Sequence, residues 1–394
     1  MLMAIAAKYD LELKQYDVTN AFVHAAIDRE IYMRMPKGYQ KPGTLLKVRK
    51  ALYGLRISPL LWQKEFTATL ASIGFQQIPQ EPCCMIKDGV IIFFYVDDII
   101  VAYHSKQESE AMKAINRIQE KYACTGGDNL QWFHGVEVMR NRKQKTIQLS
   151  QAAYADKISQ LASRQDIRHD TPMSGMELRP RSDLAEPSEI NRYQRKIGSL
   201  LFAAVTTRPD IAFATSRLAR FLVNPSTEHQ DAADRVLLYL KKTESLALEI
   251  GRGDGLEVAS DASFADNTLD RKSSQGYAIK LFGGLIAWRA SKQDTVTTST
   301  TEAELLALSQ VAKEAIFTSR LLKELQLRQE VTRKTIKVEY VPSDNMIADG
   351  FTKSLPANKW ASFLDQLGLV KRKESPLKEA ELEKLQEHLE GLYM

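Results

Sequence analysis

The stretch Val90-Ile91-Ile92-Phe93-Phe94-Tyr95-Val96-Asp97-Asp98-Ile99-Ile100-Val101-Ala102-Tyr103 sets two adjacent carboxylates inside a segment otherwise built for burial. Its β-branched and aromatic residues favour a pleated, half-buried backbone, and the acidic pair interrupts them midway. Two strands meeting at a tight turn satisfy both tendencies. An isolated carboxylate is costly to desolvate, so Asp97 and Asp98 need a metal ion, a cationic partner or water at the hairpin tip. A turn that simply points into solvent is the competing reading. Turn chemistry usually recruits Gly, Asn or Pro as well, and the flanks here lack them.

Upstream, Asp17 lies in Leu13-Lys14-Gln15-Tyr16-Asp17-Val18-Thr19-Asn20-Ala21-Phe22, at the end of a short predicted strand. Two-metal phosphoryl transfer needs carboxylates that converge from separate elements and leave positions open for phosphate oxygens. Asp17 and the Asp97-Asp98 pair could supply that set.

Composition bounds the remaining classes. A chain of 394 residues suggests two or three domains, and 44% hydrophobic content is enough for real cores. The net charge of +5 permits nucleic-acid binding without requiring it. Cys83, Cys84 and Cys124 are odd in number and lack zinc-ligand spacing, so they read as free thiols in a reducing compartment. Adjacent Cys83 and Cys84 read as core packing. Met1-Leu2-Met3-Ala4-Ile5-Ala6-Ala7 is apolar but has no basic leader, and reads as the tail of a buried helix leading into the Asp17 strand. The run from Ile197 to Thr206 is too short to span a bilayer and reads as a core helix.

Strand and helix patterns alternate over residues 1 to about 150. Lys106 to Tyr122 is predicted as an amphipathic helix. Phe133 to Val138 and Ile147 to Gln151 form a further predicted hairpin, and the polar stretch from Ser163 to Ser188 is the expected linker. His229 to Leu240 is a second helical pattern in the region that follows. Arg208 and Asp210 flank Pro209 and read as a helix-boundary ion pair rather than as catalytic groups. Lys47, Arg49, Lys50, Arg56, Lys241 and Lys242 read as phosphate contacts or as solvated surface.

From about Gly251 the pattern changes to Leu256–Ser263, Ser274–Ile279 and Leu285–Trp288 as antiparallel strands. Ser299-Thr300-Thr301-Glu302-Ala303-Glu304 then opens a helix, with hydroxyl caps and acidic residues suited to the helix dipole. Leu305, Leu308, Ala312, Ala315 and Ile316 are its predicted buried face. Near the end, Leu382, Leu385, Leu389 and Leu392 recur at helical spacing, as a helix docking on the body or a self-association element.

Taken together and in this order, the motifs resemble the reverse transcriptase of a copia-type retrotransposon polyprotein. Tyr95-Val96-Asp97-Asp98 matches that family's catalytic hairpin, and Asp17-Val18-Thr19-Asn20-Ala21-Phe22 matches the segment carrying its first catalytic Asp. Phe22 falls on the aromatic gate that crowds a ribose 2′-OH. Ala51-Leu52-Tyr53-Gly54-Leu55-Arg56 with Ser58-Pro59-Leu60-Leu61-Trp62 looks like the next block, packed beneath the nascent base pair. Thr171-Pro172-Met173, inside the linker, matches a family landmark, and Tyr193 to Phe202 and Thr207 to Ala212 match marks of a thumb-like connecting region. The later order of three strands and a helix resembles RNase H. By that resemblance Asp261 is the strand Asp, Glu304 the helix Glu and Asp349 the last carboxylate, while Glu302 reads as dipole complementation.

The resemblance implies an α+β fold: a palm-like domain over 1–150, a helical thumb or connection over 151–250, an RNase H-like mixed sheet over 251–360 and a helical tail over 361–394. It implies RNA-directed DNA polymerisation, with Asp17, Asp97 and Asp98 holding two Mg²⁺ (or Mn²⁺) ions and Phe22 and Tyr95 shaping the nucleotide pocket. Asp261, Glu304 and Asp349 would hold the metals of the RNase H centre. The implied partners are an RNA template, a DNA primer, an RNA–DNA hybrid and deoxynucleoside triphosphates, in cytoplasmic particles with a nuclear stage and no membrane. Two departures set further expectations. The third RNase H carboxylate, with its strand, helix and Lys-His block, is missing after Leu325-Gln326-Leu327, and Asp344-Asn345 is a decoy. The family's fingers precede the start of this chain, and Ile57 stands where many relatives carry Gln. An impaired polymerase with a degenerate RNase H domain is the expectation; a non-catalytic nucleic-acid-binding remnant and a translated relic with no stable fold are the alternatives.

Overall fold

A computed structural model describes residues 1–164, 169–326 and 338–373. The predicted helix bearing Leu382, Leu385, Leu389 and Leu392 lies outside the described residues. The chain divides into two compact units, one built on Tyr9–Leu130 with 320–326, the other on Met1–Lys8, Gln131–Ser319 and the described residues from 338 onward. The N-terminal apolar run forms α1 (Leu2–Tyr9), with Ala4, Ile5, Ala6 and Ala7 buried as expected.

In the smaller unit a six-stranded antiparallel sheet holds the aspartate hairpin. Its strands are β1 (Glu12–Val18), β4 (Gln76–Ile78), β5 (Glu81–Lys87), β6 (Val90–Tyr95), β7 (Asp98–Tyr103) and β8 (Cys124–Asn129), in the order β4-β5-β6-β7-β1-β8. A separate pair, β2 (Tyr32–Arg34) and β3 (Leu45–Lys47), is exposed along its length. β1 therefore sits beside the hairpin, between β7 and β8, although more than seventy residues separate it from β7 in sequence. Helices α2 (Ser58–Ser72) and α3 (Glu108–Lys121) cover this sheet. Trp62, Phe66 and Leu70 of α2, Ile115 and Ile118 of α3, and Ile92, Phe94 and Val101 of the hairpin form one core. Phe66 meets Phe94 edge-on with ring centroids 4.9 Å apart, and Trp62 meets Tyr122 edge-on at 5.2 Å. The hairpin is thereby clamped by aromatic packing behind its acidic tip.

After α1, the larger unit resumes with β9 (Trp132–Phe133), β10 (Val136–Asn141) and β11 (Thr146–Ser150), the last two forming the expected second hairpin. Helices α4 (Ala152–Ser159), α5 (Pro187–Thr206), α6 (Ala212–Leu218) and α7 (Thr227–Lys242) follow. Residues 169–186 of the predicted linker carry no helix or strand. β12 (Leu246–Gly251) joins the sheet beside β11. β13 (Leu256–Ser263), β14 (Ser274–Leu281) and β15 (Gly284–Lys292) then form an antiparallel sheet, followed by α8 (Thr300–Glu324). A 3₁₀ turn at Ile347–Phe351, α9 (Ala357–Leu367) and β16 (Leu369–Lys371), which pairs with β12, end the described chain. One core runs through Tyr193, Leu200, Leu237, Leu248, Ala278, Phe351 and Phe363, so α4 to α7, α9 and both sheets of this unit share buried apolar area.

The face that α8 buries overlaps the expected one in part: Ala315 is buried as expected, whereas Leu305 and Ile316 are not. Ala303, Ala307, Val311, Ala315 and Thr318 are buried, Leu308 and Ala312 are half-buried, and Leu305 and Ile316 are exposed. Small residues at every fourth position let the helix approach the sheet closely, and Val311 meets Tyr277 and Ile279 there. A reading weighted by leucine and isoleucine chose a neighbouring stripe.

Arg208 and Asp210 form the anticipated ion pair, and both are buried. His229 completes a reciprocal cap at the start of α7. Its backbone N–H donates to Ser226 Oγ at 3.3 Å, while its Nδ1 accepts from the Ser226 backbone N–H at 2.8 Å. Its ring is buried and stacks on Phe221 at 3.8 Å. Burial holds its pKa below the usual 6.5, and a proton on Nδ1 would break the cap. As pH falls below about 6.5 the unfolded chain takes up this proton before the folded one, so stability falls with pH. Gln at this position can still cap without titrating. The stability difference between wild type and His229→Gln, measured by urea unfolding, is therefore expected to shift in favour of the variant between pH 7.5 and pH 5.

Candidate active site: two carboxylate clusters

The hairpin tip is a two-residue connection. Tyr95 pairs with Asp98 in register, so Val96 and Asp97 form the turn and Asp98 is the first residue of β7. Val96 has φ 56°, a left-handed conformation that costs a β-branched residue about 1–3 kcal/mol. Two donors hold the turn there. The Trp62 indole N–H donates to the Val96 carbonyl, and the Val18 N–H donates to the Asp97 carbonyl at 2.9 Å. The second bond ties the end of β1 directly to the turn.

Because β1 runs antiparallel beside β7, Asp17 lies directly opposite Asp98. Directly opposed residues of an antiparallel pair share one face with Cβ atoms about 4.5–5.5 Å apart. Gln15, two residues earlier on β1, donates its amide N–H to Asp98 Oδ1 at 3.2 Å. Tyr53 reports on the other two carboxylates: burial first, then the charges of Asp97 and Asp17, raises the pKa of its hydroxyl. Its ring packs on Phe22 with centroids 4.5 Å apart. Phe22 is held on a 3₁₀ turn, Ala21–His24, entered through Asn20 in the left-handed conformation that Asn tolerates. Tyr95 is 55% exposed at the tip. The fold thus brings Asp17, Asp97, Asp98, Phe22 and Tyr95 to one end of the sheet. Tyr53 lies within the Ala51–Arg56 block, and no local pattern in the sequence singles it out from its neighbours there.

Among the described residues, no group of three or more His, Cys, Asp or Glu side chains is arranged to hold a metal ion. For Mg²⁺ at the hairpin this is no obstacle. That ion is usually held by one or two carboxylates together with substrate phosphates and water, not by an all-protein cage. Opposed Asp17 and Asp98, with Asp97 on the adjoining turn, fit that donor chemistry.

The second cluster has a different character. Asp261 lies on β13 with its neighbour Gly276 across the ladder on β14. A Cβ on Gly276 would stand 2.5 Å from Phe351 Cβ, so glycine there lets the 3₁₀ turn bearing Asp349 press against the sheet. Glu304, on the first turns of α8, is hydrogen-bonded by the Ala262 backbone N–H, and its pKa is raised by burial and then by Asp261. Asp261 is 8% exposed, accepts a hydrogen bond from the Thr352 hydroxyl, and has its pKa raised chiefly by burial. Lys353 Nζ stands 3.3 Å from Asp261 Oδ2 and 3.1 Å from Asp349 Oδ1. Lys353 follows Asp349 by four residues, and nothing in the local sequence pattern marks it for this cluster. Its ammonium takes the place between the carboxylates where a bridging cation would sit, so as they stand these residues do not fit a divalent ion.

Glu302 is outside this cluster. Its carboxylate accepts from the Thr298 backbone N–H at 2.6 Å and hydroxyl at 2.8 Å, while its own N–H donates to Ser299 Oγ at 3.1 Å. These are helix-capping bonds. Asp344 pairs with Lys359 at 2.8 Å on an exposed turn. Of the surface cations, Lys47 pairs with Glu30, Lys241 with Asp156 and Glu244, and Lys242 with Asp170.

Residues 1–173 match the family described as reverse transcriptase (RNA-dependent DNA polymerase). A transposon Ty5-1 protein of Saccharomyces cerevisiae is 31% identical over 314 residues, which cover 76% of this chain and 99% of that protein. The chain belongs to the reverse transcriptase family of copia-type transposon polyproteins. The retrovirus-related Pol polyprotein from transposon TNT 1-94 of Nicotiana tabacum is 32% identical over 84% of this chain, and that from transposon RE1 of Arabidopsis thaliana is 26% identical over 94%. The aligned parts are 26% and 28% of those two polyproteins, so this reverse transcriptase relative spans about a quarter of their length. The family match contains the whole hairpin cluster and ends before Asp261. No helix among the described residues is long and apolar enough to cross a membrane.

Proposed function

We propose that the hairpin cluster is the nucleotidyl-transfer centre of an RNA-directed DNA polymerase that joins deoxynucleoside triphosphates to a primer 3′-OH on an RNA template. The observation that carries this reading is the register: Asp17 opposes Asp98 across β1 and β7, with Asp97 on the turn between the hairpin strands. Two divalent ions, Mg²⁺ or Mn²⁺, supply charge neutralisation and lower the pKa of the attacking hydroxyl when bound. Asp17, Asp97 and Asp98 present oxygen donors from two strands and a turn, as that chemistry requires. The Gln15 amide fixes Asp98, and the bonds from Trp62 and Val18 fix the turn, so the donors are oriented before substrate arrives. Phe22, backed by Tyr53, shapes the sugar side of the nucleotide pocket, and Tyr95 its outer edge.

The domain division into a palm over 1–150, a thumb or connection over 151–250 and an RNase H-like region over 251–360 is part of the same proposal. Three antiparallel strands followed by α8, with Asp261, Glu304 and Asp349 drawn together, support an RNase H-like descent for the last region. The Lys353 contacts favour a second reading there, in which this region has lost hybrid cleavage and serves structure or nucleic-acid binding.

The test is primer extension on poly(rA)/oligo(dT) with Mg²⁺ or Mn²⁺, comparing wild type with Asp97→Asn. Extension by wild type alone is expected. Salt-sensitive binding that persists in Asp97→Asn, with no extension by either protein, would replace the polymerase reading with a non-catalytic one.

A further inference from the structure

The residues around Asp261 disagree with the metal centre that the RNase H resemblance implies. Divalent cations of this class sit about 2.0–2.6 Å from carboxylate oxygens and bridge them. Here Lys353 Nζ contacts both Asp261 Oδ2 and Asp349 Oδ1, at 3.3 and 3.1 Å. The same Asp261 oxygen also takes the Thr352 hydroxyl. Lys353 and Asp349 are four residues apart on one tight turn, whose Lys353 and Thr352 N–H groups both donate to the Asp349 carbonyl. That turn is seated against the sheet at Gly276 and against α9 at Gly350, where an added Cβ would strike the Phe363 ring. The ammonium is therefore delivered by the backbone that delivers Asp349, and the two cannot easily be separated.

We infer that Lys353 is the resident cation of this cluster, an internal ammonium that takes the place of a divalent ion between Asp261 and Asp349. The inference concerns the second cluster alone and rests on its RNase H-like reading only for the metal it displaces. A paired buried carboxylate that loses its cation is strongly destabilised, and it becomes a ligand for any cation offered. Lys353 thus makes the cluster an ion-pair node holding the 3₁₀ turn to β13. It also withholds that site from divalent metal.

The test uses the full chain carrying Asp17→Asn and Asp97→Asn, so that the hairpin contributes no metal signal. Mn²⁺ binding is read by electron paramagnetic resonance, and the unfolding midpoint is read in EDTA and in Mn²⁺. In this background the Lys353 chain is expected to bind no Mn²⁺ that is sensitive to Asp261→Asn, and its midpoint should not depend on Mn²⁺. Adding Lys353→Met should lower the midpoint in EDTA, restore part of it with Mn²⁺, and tighten Mn²⁺ binding at least tenfold in a way that Asp261→Asn abolishes. Lys353→Arg should behave as the lysine chain does. Mn²⁺ binding by the Lys353 chain that Asp261→Asn removes would overturn the inference, whether or not Lys353→Met folds. A folded Lys353→Met chain with no gain in Mn²⁺ affinity would also overturn it. Failure of primer extension at the hairpin would leave these outcomes unchanged.

Discussion

Arg208→Ala is expected to destabilise the larger unit by about 3–5 kcal/mol, the usual cost of stranding one member of a buried ion pair. The pair is bidentate: Arg208 Nε donates to Asp210 Oδ1 at 3.0 Å, and Nη2 donates to Oδ2 at 2.7 Å. Arg208 is 3% exposed and Asp210 1%. The guanidinium also donates to the Thr243 carbonyl and hydroxyl, and Tyr239 OH donates to Asp210 Oδ2 at 2.6 Å. Trp360 Nε1 in turn donates to the Tyr239 oxygen at 3.2 Å, so the network joins the Pro209 turn, α7 and α9. Removing the arginine leaves a buried carboxylate whose remaining side-chain donor among the described residues is the Tyr239 hydroxyl. Paired replacement by apolar residues, Arg208→Met with Asp210→Leu, should recover much of the loss because no charge remains buried. Chemical unfolding of the three proteins decides it; equal losses in the single and double variants would mean that the charge pair is not the source.

The second large effect belongs to the hairpin. Asp17→Asn and Asp97→Asn should each lower the rate of primer extension by on the order of 10³, about 4 kcal/mol of transition-state stabilisation, while leaving primer–template affinity within a factor of about two. The split follows from the geometry. An amide keeps the size of the carboxylate and the β1–β7 ladder, but it removes the charge that would hold the divalent ions, and with them the neutralisation they would supply to the attacking hydroxyl and the departing pyrophosphate. Single-turnover extension with separate measurement of primer–template binding gives both numbers. A parallel fall in affinity and rate would show instead that the variants disturb the six-stranded sheet as a whole.

Much of this was legible in the chain. The hairpin could be read because apolar β-branched residues flank two carboxylates on both sides, a pattern with few structural solutions. Its partner strand could be read only through the motif around Asp17, since nothing in a local window says that β1 inserts beside β7. The Arg208–Asp210 pair was visible from its spacing around Pro209. What stayed hidden depended on approach distances. The α8 face was legible only in part, at Ala315, because Ala303 and Ala307 rather than Leu305 line the close contact. Tyr53 and Lys353 carried no periodicity at all; each becomes meaningful only when a distant carboxylate is folded against it.

The central claim is that the hairpin carboxylates hold divalent metal together with a nucleotide. The most direct measurement is Mn²⁺ titration by electron paramagnetic resonance of the full chain bound to a chain-terminated primer on an RNA template, with and without the next matching deoxynucleoside triphosphate. Wild type is expected to bind Mn²⁺ at least tenfold more tightly when the matching nucleotide is present, and Asp97→Asn should lose that gain. Nucleotide-dependent binding of equal strength in both proteins, or none in a folded wild type, would contradict the account.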